Sequence, residues 1–348
     1  MSATLESDTL LLESGQPLAF RIAHRRIGTG PVKVLLLHAL TGGQHPEGEH
    51  GWWGPLFHPG WPLDPAKCTV WAPNLIGSCH GSTGPDMNEG GPPGRFAPST
   101  SPLVLPHVVS GQSPVATSGG RCAFPDITPR DQAAALARWL ESEHLTFDAL
   151  VGGSLGGMVA LELALLAPER FKTVAAIGSG GRSDGWIWGT HQIQRAILES
   201  DLPDHQAVAL ARHAAMLTFR APVGINSRFE SKPQIQEWLR HHGEALSARF
   251  TRASYLTLLS AMDAHDLGRG RGGLVEALKG LKAPLHVLGL SSDQLFTAPL
   301  IHELADAAEA AGTLGSLKWI NSAHGHDAFL IEWDQVGAWL GDVLKGAA

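Results

Sequence analysis

A single serine stands between two glycine pairs in Gly152-Gly153-Ser154-Leu155-Gly156-Gly157, where the apolar run FDALV ends and a second one, MVALELALL, begins. An apolar strand passing through G-x-S-x-G into a helix is the pattern of a nucleophile elbow. The demand is steric: the sharp strand-to-helix turn strains the serine backbone, and side chains beside it would collide with neighbouring strands. The hydroxyl is thereby raised clear of the sheet at the positive end of the helix. It still needs a base. In such an elbow an acid follows a late strand and a histidine lies near the C-terminus. Asp293, in SSDQLF, holds the first position, and His324 and His326, in NSAHGHDAF, share the second. Spacing does not choose between the two histidines. Singly, each residue has a plain reading: an incidental serine in a turn, an aspartate capping a helix, a surface histidine. Together and in order they point to acyl chemistry.

The negative charge of a tetrahedral intermediate must be met by backbone amides. Leu155 N–H, directly after the serine, is one expected donor. The other belongs in the loop after the strand that contains Val34–Leu37, reading His38-Ala39-Leu40-Thr41-Gly42-Gly43, and Leu40 N–H is the choice there.

The elements that must position these groups are short apolar runs separated by helical patterns, as in a mostly parallel sheet. Strands are expected at Val32–Leu40, Cys68–Asn74, Phe147–Ser154, Thr173–Gly178, Leu285–Ser291 and Leu317–Asn321, after an antiparallel edge hairpin over 8–14 and 17–25. Helices are expected at 128–143, 155–168, 299–311 and 334–345, the first opened by the Thr128-Pro129 cap. Residues 86–124, rich in Gly, Pro and Ser, read as a long loop. Residues 182–275 carry helical patterns and no strand. We read 1–181 and 276–348 as the core domain, with 182–275 a helical lid over the carboxyl edge of the sheet, where open α/β sheets keep their ligands.

Composition sets the outer limits. The 348 residues are 43% hydrophobic and 17% charged, enough for a large core, and the net charge of −7 offers no footprint for nucleic acid. No apolar run approaches the roughly 20 residues of a membrane helix, and the N-terminus has acids where a secretory signal carries positive charge. Cys68, Cys79 and Cys122 fit neither a zinc pattern nor a disulfide framework. Eighteen histidines raise the question of a metal, yet none sits in a recognised ligand spacing, so no metal is expected. The reading is a cytoplasmic protein with free thiols.

Longer stretches narrow the family. HALTGG, GWWGPLFHPG, APNLIGSCHGSTGP, FPDITPRD, GGSLGGMVALE, LARHAAMLTFR, AMDAHDLGRGRGG and GHDAFLIE occur in order between residues 38 and 332. Together they resemble the homoserine O-acetyltransferase family, acyltransferases of methionine biosynthesis on the α/β-hydrolase fold. The resemblance implies that His326, inside GHDAFL, is the catalytic histidine, with Ser154 the nucleophile and Asp293 the orienting acid. It implies further that Arg212 holds the carboxylate of the amino-acid acceptor and Asp327 its ammonium group. It implies acetyl-CoA as co-substrate with no bound cofactor, L-homoserine as acceptor, an acyl-serine intermediate, and a homodimer joined through the lid helices.

The chain departs from the family pattern in places. Phe219 stands where the family usually has tyrosine, and Trp186 and Trp188 replace smaller or more polar residues. Tyr255, the one tyrosine, reads as structural. Arg269 and Arg271, in GRGRGG, are candidates for the phosphates of coenzyme A, beside the plain reading of a solvated loop. Rival functions are a plain serine esterase, a sister enzyme using succinyl-CoA or L-serine, and a scaffold with a relic triad. One methylene of acceptor length is worth only about 1–3 kcal/mol, so a few side chains decide between sisters.

Overall fold

The computed structural model describes residues 2–4, 8–88 and 124–347. Most of the expected long loop, and Cys122 with it, lies outside the described residues. Among the described residues there are ten strands: β1 Ser2–Thr4, β2 Asp8–Leu11, β3 Pro17–Phe20, β4 Ala23–Ile27, β5 Val32–Leu37, β6 Cys68–Pro73, β7 Phe147–Gly153, β8 Phe171–Ile177, β9 Leu285–Leu290 and β10 Leu314–Ile320. Eight form one sheet in the order β1-β4-β6-β5-β7-β8-β9-β10. From β6 to β10 every pairing is parallel, and β1 and β4 add an antiparallel edge.

Alternation along the central strands builds a core on each face. Leu35, Leu37, Leu150, Val174 and Ala176 pack on one side, and Val34, Leu36, Ala149, Val151 and Ala175 on the other. Side chains at odd and even positions point to opposite faces, and a parallel sheet covered on both must be apolar at both. The covering helices are α1 Pro129–Ser142, α2 Leu155–Leu166 and α9 Ala298–Ala310 on the first face and α10 Trp333–Ala347 on the second. The start of α1 is a full capping box: Thr128 Oγ1 accepts from Asp131 N–H at 3.1 Å, and Asp131 Oδ2 accepts from Thr128 N–H at 2.9 Å.

The expected edge hairpin is corrected in one respect. β2 and β3 do pair antiparallel, but as a separate two-stranded sheet. The main sheet is instead joined, between β1 and β6, by β4, which the sequence pattern runs together with the second hairpin strand. Leu10, Leu12, Leu18 and Phe20 are buried, so the hairpin packs by its apolar face instead of extending the hydrogen-bonded ladder.

Between β8 and β9 the described chain is helical: α3 Gly185–Leu198, α4 Asp204–Phe219, α5 Pro222–Arg228, α6 Lys232–Ser247, α7 Arg252–Asp263 and α8 Leu274–Leu278. Its two ends are laced together, Ser183 N–H donating to His265 O and Leu267 N–H to Gly181 O, each at 2.9 Å. No helix among the described residues is long and apolar enough to cross a membrane.

Candidate active site

Strand β7 ends at Gly153 and α2 begins at Leu155, leaving Ser154 alone at the bend with φ 55° and ψ −123°. A non-glycine residue with positive φ is strained, and such strain is held only where the surroundings enforce it. Here they do. A Cβ at Gly152 would stand 2.1 Å from Gly156 O, and one at Gly156 would stand 2.4 Å from Leu37 O, so the elbow closes only with glycine at both. Ser154 N–H donates to Ile177 O at 2.9 Å, and Ser154 O accepts from Ser179 Oγ at 3.0 Å. The Ser154 hydroxyl forms no hydrogen bond among the described residues.

Asp293 and His326 come together from opposite sides of β10. His326 Nδ1 lies 2.7 Å from Asp293 Oδ2, and Asp293 Oδ1 accepts from Leu295 N–H at 2.7 Å and Phe296 N–H at 2.9 Å. Burial drives the His326 pKa down, but the charge and hydrogen bond of Asp293, helped by Asp327, outweigh it and hold the ring above its ordinary value. The imidazole is packed among Phe219, Phe296 and Phe329. It lies against Gly178, where a Cβ would stand 3.3 Å from His326 Cε1, and Gly178 follows the residue that holds Ser154 N–H. His324, the alternative from spacing, faces elsewhere: its Nδ1 is 3.4 Å from Arg220 Nη1.

The loop after β5 carries Leu40 and starts against the elbow, where a Cβ at Gly156 would stand 2.7 Å from His38 O. Neither Leu40 N–H nor Leu155 N–H donates to an acceptor among the described residues. For Leu155 the reason is general, since the first amides of a helix have no intrahelical partner.

Arg212, on α4, is half-buried and has no carboxylate partner among the described residues. Its Cζ lies 5.1 Å from the centre of the Phe219 ring, and that ring is 5.8 Å from the His326 ring. Asp327 shares this neighbourhood. Its Oδ2 receives Arg220 Nε at 2.8 Å, while Oδ1 has no donor among the described residues. Burial, then Arg212 and Arg220, push the pKa of His242 down to about 4, so the nearby histidine is neutral.

Arg220 was missed by the sequence reading, although it ends the LARHAAMLTFR segment. It helps fasten the helical insertion to the histidine loop. Gly224 has no room for a Cβ, which would stand 2.1 Å from Ala323 O, and Gly325, at φ +66°, would place one 2.6 Å from Ala221 N.

Arg269 and Arg271 do not serve as the loose cations that the GRGRGG segment suggested. Arg269 Nη2 pairs with Glu13 Oε2 at 2.6 Å and Arg271 Nη2 with Glu162 Oε2 at 2.7 Å. Arg130, 2% exposed, joins the same two carboxylates at 3.0 and 3.1 Å. Buried charges persist only when paired, and this network consumes its arginines. Trp186 and Trp188 are each about half exposed, their indole N–H groups donating to Gln294 O and Asp263 O. Tyr255 is fully buried, with its hydroxyl on Gln194 Oε1 at 2.7 Å. No group of three or more His, Cys, Asp or Glu that could hold a metal occurs among the described residues.

Comparison with known proteins places the chain. The family model described as alpha/beta hydrolase fold matches residues 33–331. A homoserine O-acetyltransferase of Thermus thermophilus is 39% identical over 333 residues, covering 87% of this chain and 79% of the relative. The crystal structure of a homoserine O-acetyltransferase from Staphylococcus aureus superposes with a TM-score of 0.78 at 22% identity, covering 99% of this chain and 94% of that one. Esterase E22 superposes equally well, TM-score 0.78 at 17% identity with 99% of both chains covered, so this fold also carries hydrolases. At 39% identity over most of its length, the chain belongs to the homoserine O-acetyltransferase family, built on the α/β-hydrolase fold.

Proposed function

We propose that this enzyme moves an acetyl group from acetyl-CoA to the side-chain hydroxyl of L-homoserine by double displacement. His326 takes the Ser154 proton as Oγ attacks the thioester carbonyl. The oxyanion rests on the Leu40 and Leu155 amides, the C–S bond breaks, and the proton passes to the departing thiolate. In the second half, the homoserine hydroxyl gives its proton to His326 and attacks the acetyl carbonyl, and the C–Oγ bond breaks as Ser154 regains a proton. Asp293 orients the imidazole and stabilises its charged form.

The observation that carries this reading is Arg212. A half-buried guanidinium without a carboxylate, one aromatic ring away from the base, is a cost to a simple esterase and an asset to an enzyme that must hold a free amino acid. Asp327, with one oxygen on Arg220 and the other open, supplies the complementary contact for the ammonium group. Residues 182–275 act as a lid domain on the core formed by 1–181 and 276–348, keeping water from the acyl-enzyme while the acceptor is in position. Thiol release from acetyl-CoA with and without homoserine tests the whole. Release that ignores homoserine would make the protein a hydrolase. Crossing acetyl-CoA and succinyl-CoA with homoserine and serine separates the sister activities.

The same reading includes a cytoplasmic homodimer joined through the insertion. Cys68 and Cys79 are free thiols. Leu210, at 42%, and Leu217, at 54%, are exposed beside an apolar groove of about 520 Å³ lined by Ala196, Ile197, Ala214 and Leu239. A second copy covering this face would bury them. Sedimentation of Leu217→Asp beside the parent chain is the test: an unchanged mass removes the groove from the interface.

A further inference from the structure

His38 takes no part in the chemistry described so far, although it directly precedes the loop that carries Leu40. Its side chain is 1% exposed. The Nε2 atom lies 3.0 Å from Leu75 N, just past the end of β6, and Nδ1 lies 2.8 Å from Ala39 O. A backbone N–H only donates, so Nε2 must be the accepting nitrogen. A neutral imidazole that accepts at Nε2 carries its proton at Nδ1. The tautomer is therefore dictated by the backbone, and Nδ1–H donates to Ala39 O. Burial, the largest influence, pushes the ring's pKa down to about 4, which keeps it neutral at ordinary pH.

Ala39 O and Leu40 N–H belong to one peptide group. Every described peptide bond is trans, and in a planar trans peptide the carbonyl and the amide point in opposite directions. Holding the oxygen therefore aims the hydrogen. Ala39 O is held twice, by His38 Nδ1–H and by Gly42 N–H at 2.9 Å. The turn closes tightly over the ring, for a Cβ at Gly42 would stand 2.8 Å from His38 Cβ. Arg249 Nη1 fixes Thr41 O, two residues on, at 2.7 Å. The one group of this peptide left without a partner among the described residues is Leu40 N–H.

We propose that His38 is a positioning residue of the oxyanion hole: its imidazole, protonated at Nδ1, clamps the Ala39–Leu40 peptide so that Leu40 N–H faces the developing oxyanion. It touches no substrate. The inference rests on the reading above, in which Leu40 supplies one of the two oxyanion amides. An amide aimed in advance stabilises the transition state without a reorganisation cost at the moment of reaction, which is where such groups gain their strength.

Two variants separate the nitrogens. His38→Asn keeps a donor near the Nδ1 position and loses the acceptor for Leu75, and His38→Gln does the reverse. The measurement is the rate at which acetyl-CoA acetylates Ser154, by rapid quench and intact mass, alongside thermal melting. His38→Gln should be acetylated about 10- to 100-fold more slowly, with KM for homoserine unchanged, part of the loss expected when an oxyanion donor is removed outright. His38→Asn should stay close to the parent rate even where its melting temperature falls as far. Equal rates for His38→Gln and the parent chain would overturn the inference, as would an Asn variant slower than the Gln variant. Should His38→Gln fail to fold, ¹⁵N-histidine spectra of the parent chain decide, with the His38 signals assigned from their absence in His38→Asn. A neutral ring protonated at Nδ1 near pH 7 supports the proposal, and a ring protonated at Nε2, or charged, ends it. Failure of the underlying reading looks different: the parent chain would then carry no acetyl group on Ser154, and both proposals would go.

Discussion

Asp293 binds His326 with one oxygen at 2.7 Å and the amides of Leu295 and Phe296 with the other. The acid is thus fixed by backbone, and in the proposed mechanism its remaining task is to orient and charge-stabilise the imidazole. Asp293→Asn should lower kcat by about 10,000-fold, the scale seen when such an acid is neutralised with its geometry intact. A loss under tenfold would remove Asp293 from the mechanism.

The pH dependence follows from the same pair. In the proposed mechanism His326 must be neutral to take a proton, and its pKa is held above 6.5, so kcat/KM should fall as pH drops through a value above 6.5. Without the Asp293 carboxylate burial is opposed only by the smaller influence of Asp327, and the acidic limb of Asp293→Asn should move to lower pH. The stability sign is the reverse. A raised histidine pKa contributes stability that is fully present below the unfolded value and lost as pH rises through the folded one. The active form is therefore the less stabilised form of this pair. Profiles of thiol release against pH, with melting curves at matched pH, check both directions.

Arg212→Ala should leave acetylation of Ser154 by acetyl-CoA intact and lower kcat/KM for homoserine by about 10- to 100-fold, the range of a lost charge-assisted hydrogen bond. Arg212→Lys should recover only part of this, because an ammonium cannot form the two-pronged contact. Single-turnover acylation measured beside steady-state transfer distinguishes the halves. A slowed first half would mean that Arg212 serves the donor.

Phe219 is 8% exposed and sits between the Arg212 guanidinium and the His326 ring. Phe219→Tyr should lower KM for homoserine by about fivefold, roughly 1 kcal/mol for one added hydrogen bond to the bound acceptor. An unchanged or higher KM would show that the hydroxyl does not reach the acceptor.

Glu162 is 1% exposed and holds both Arg130 and Arg271. Glu162→Gln leaves Arg271 without its carboxylate and Glu13 alone to balance the three arginines, and should destabilise the fold by about 3–5 kcal/mol in denaturant unfolding. Arg269→Ala should leave KM for acetyl-CoA unchanged, since its charge is already committed to Glu13. A large rise in that KM would return the arginine to the donor site.

The central sheet was legible in the sequence because strands buried on both faces read as continuous apolar runs, and each expected core strand overlaps an observed one. The hairpin misled because β3 and β4 are separated by only Arg21 and Ile22, and local pattern cannot say that the ladder changes sheet there. Ser154, Asp293 and His326 could be nominated since chain order and turn chemistry are local properties. The fate of Arg269 and Arg271 could not, because their carboxylates lie 256 and 109 residues away along the chain. His38 escaped notice for a related cause: its partners are amides and a carbonyl, and backbone leaves no mark in composition. Arg220 was visible but unremarkable, since an arginine ending a helix is ordinary until its partner Asp327 is known.

The fastening of the insertion to the histidine loop bears on traffic through the enzyme. With Gly224 against Ala323, Gly325 against Ala221 and Arg220 on Asp327, α4 and α5 cannot swing aside without dragging His326, the proposed base, out of register. In the proposed mechanism substrates would then reach Ser154 past helices that keep their places, so turnover should be governed by fit rather than by a door that opens and shuts.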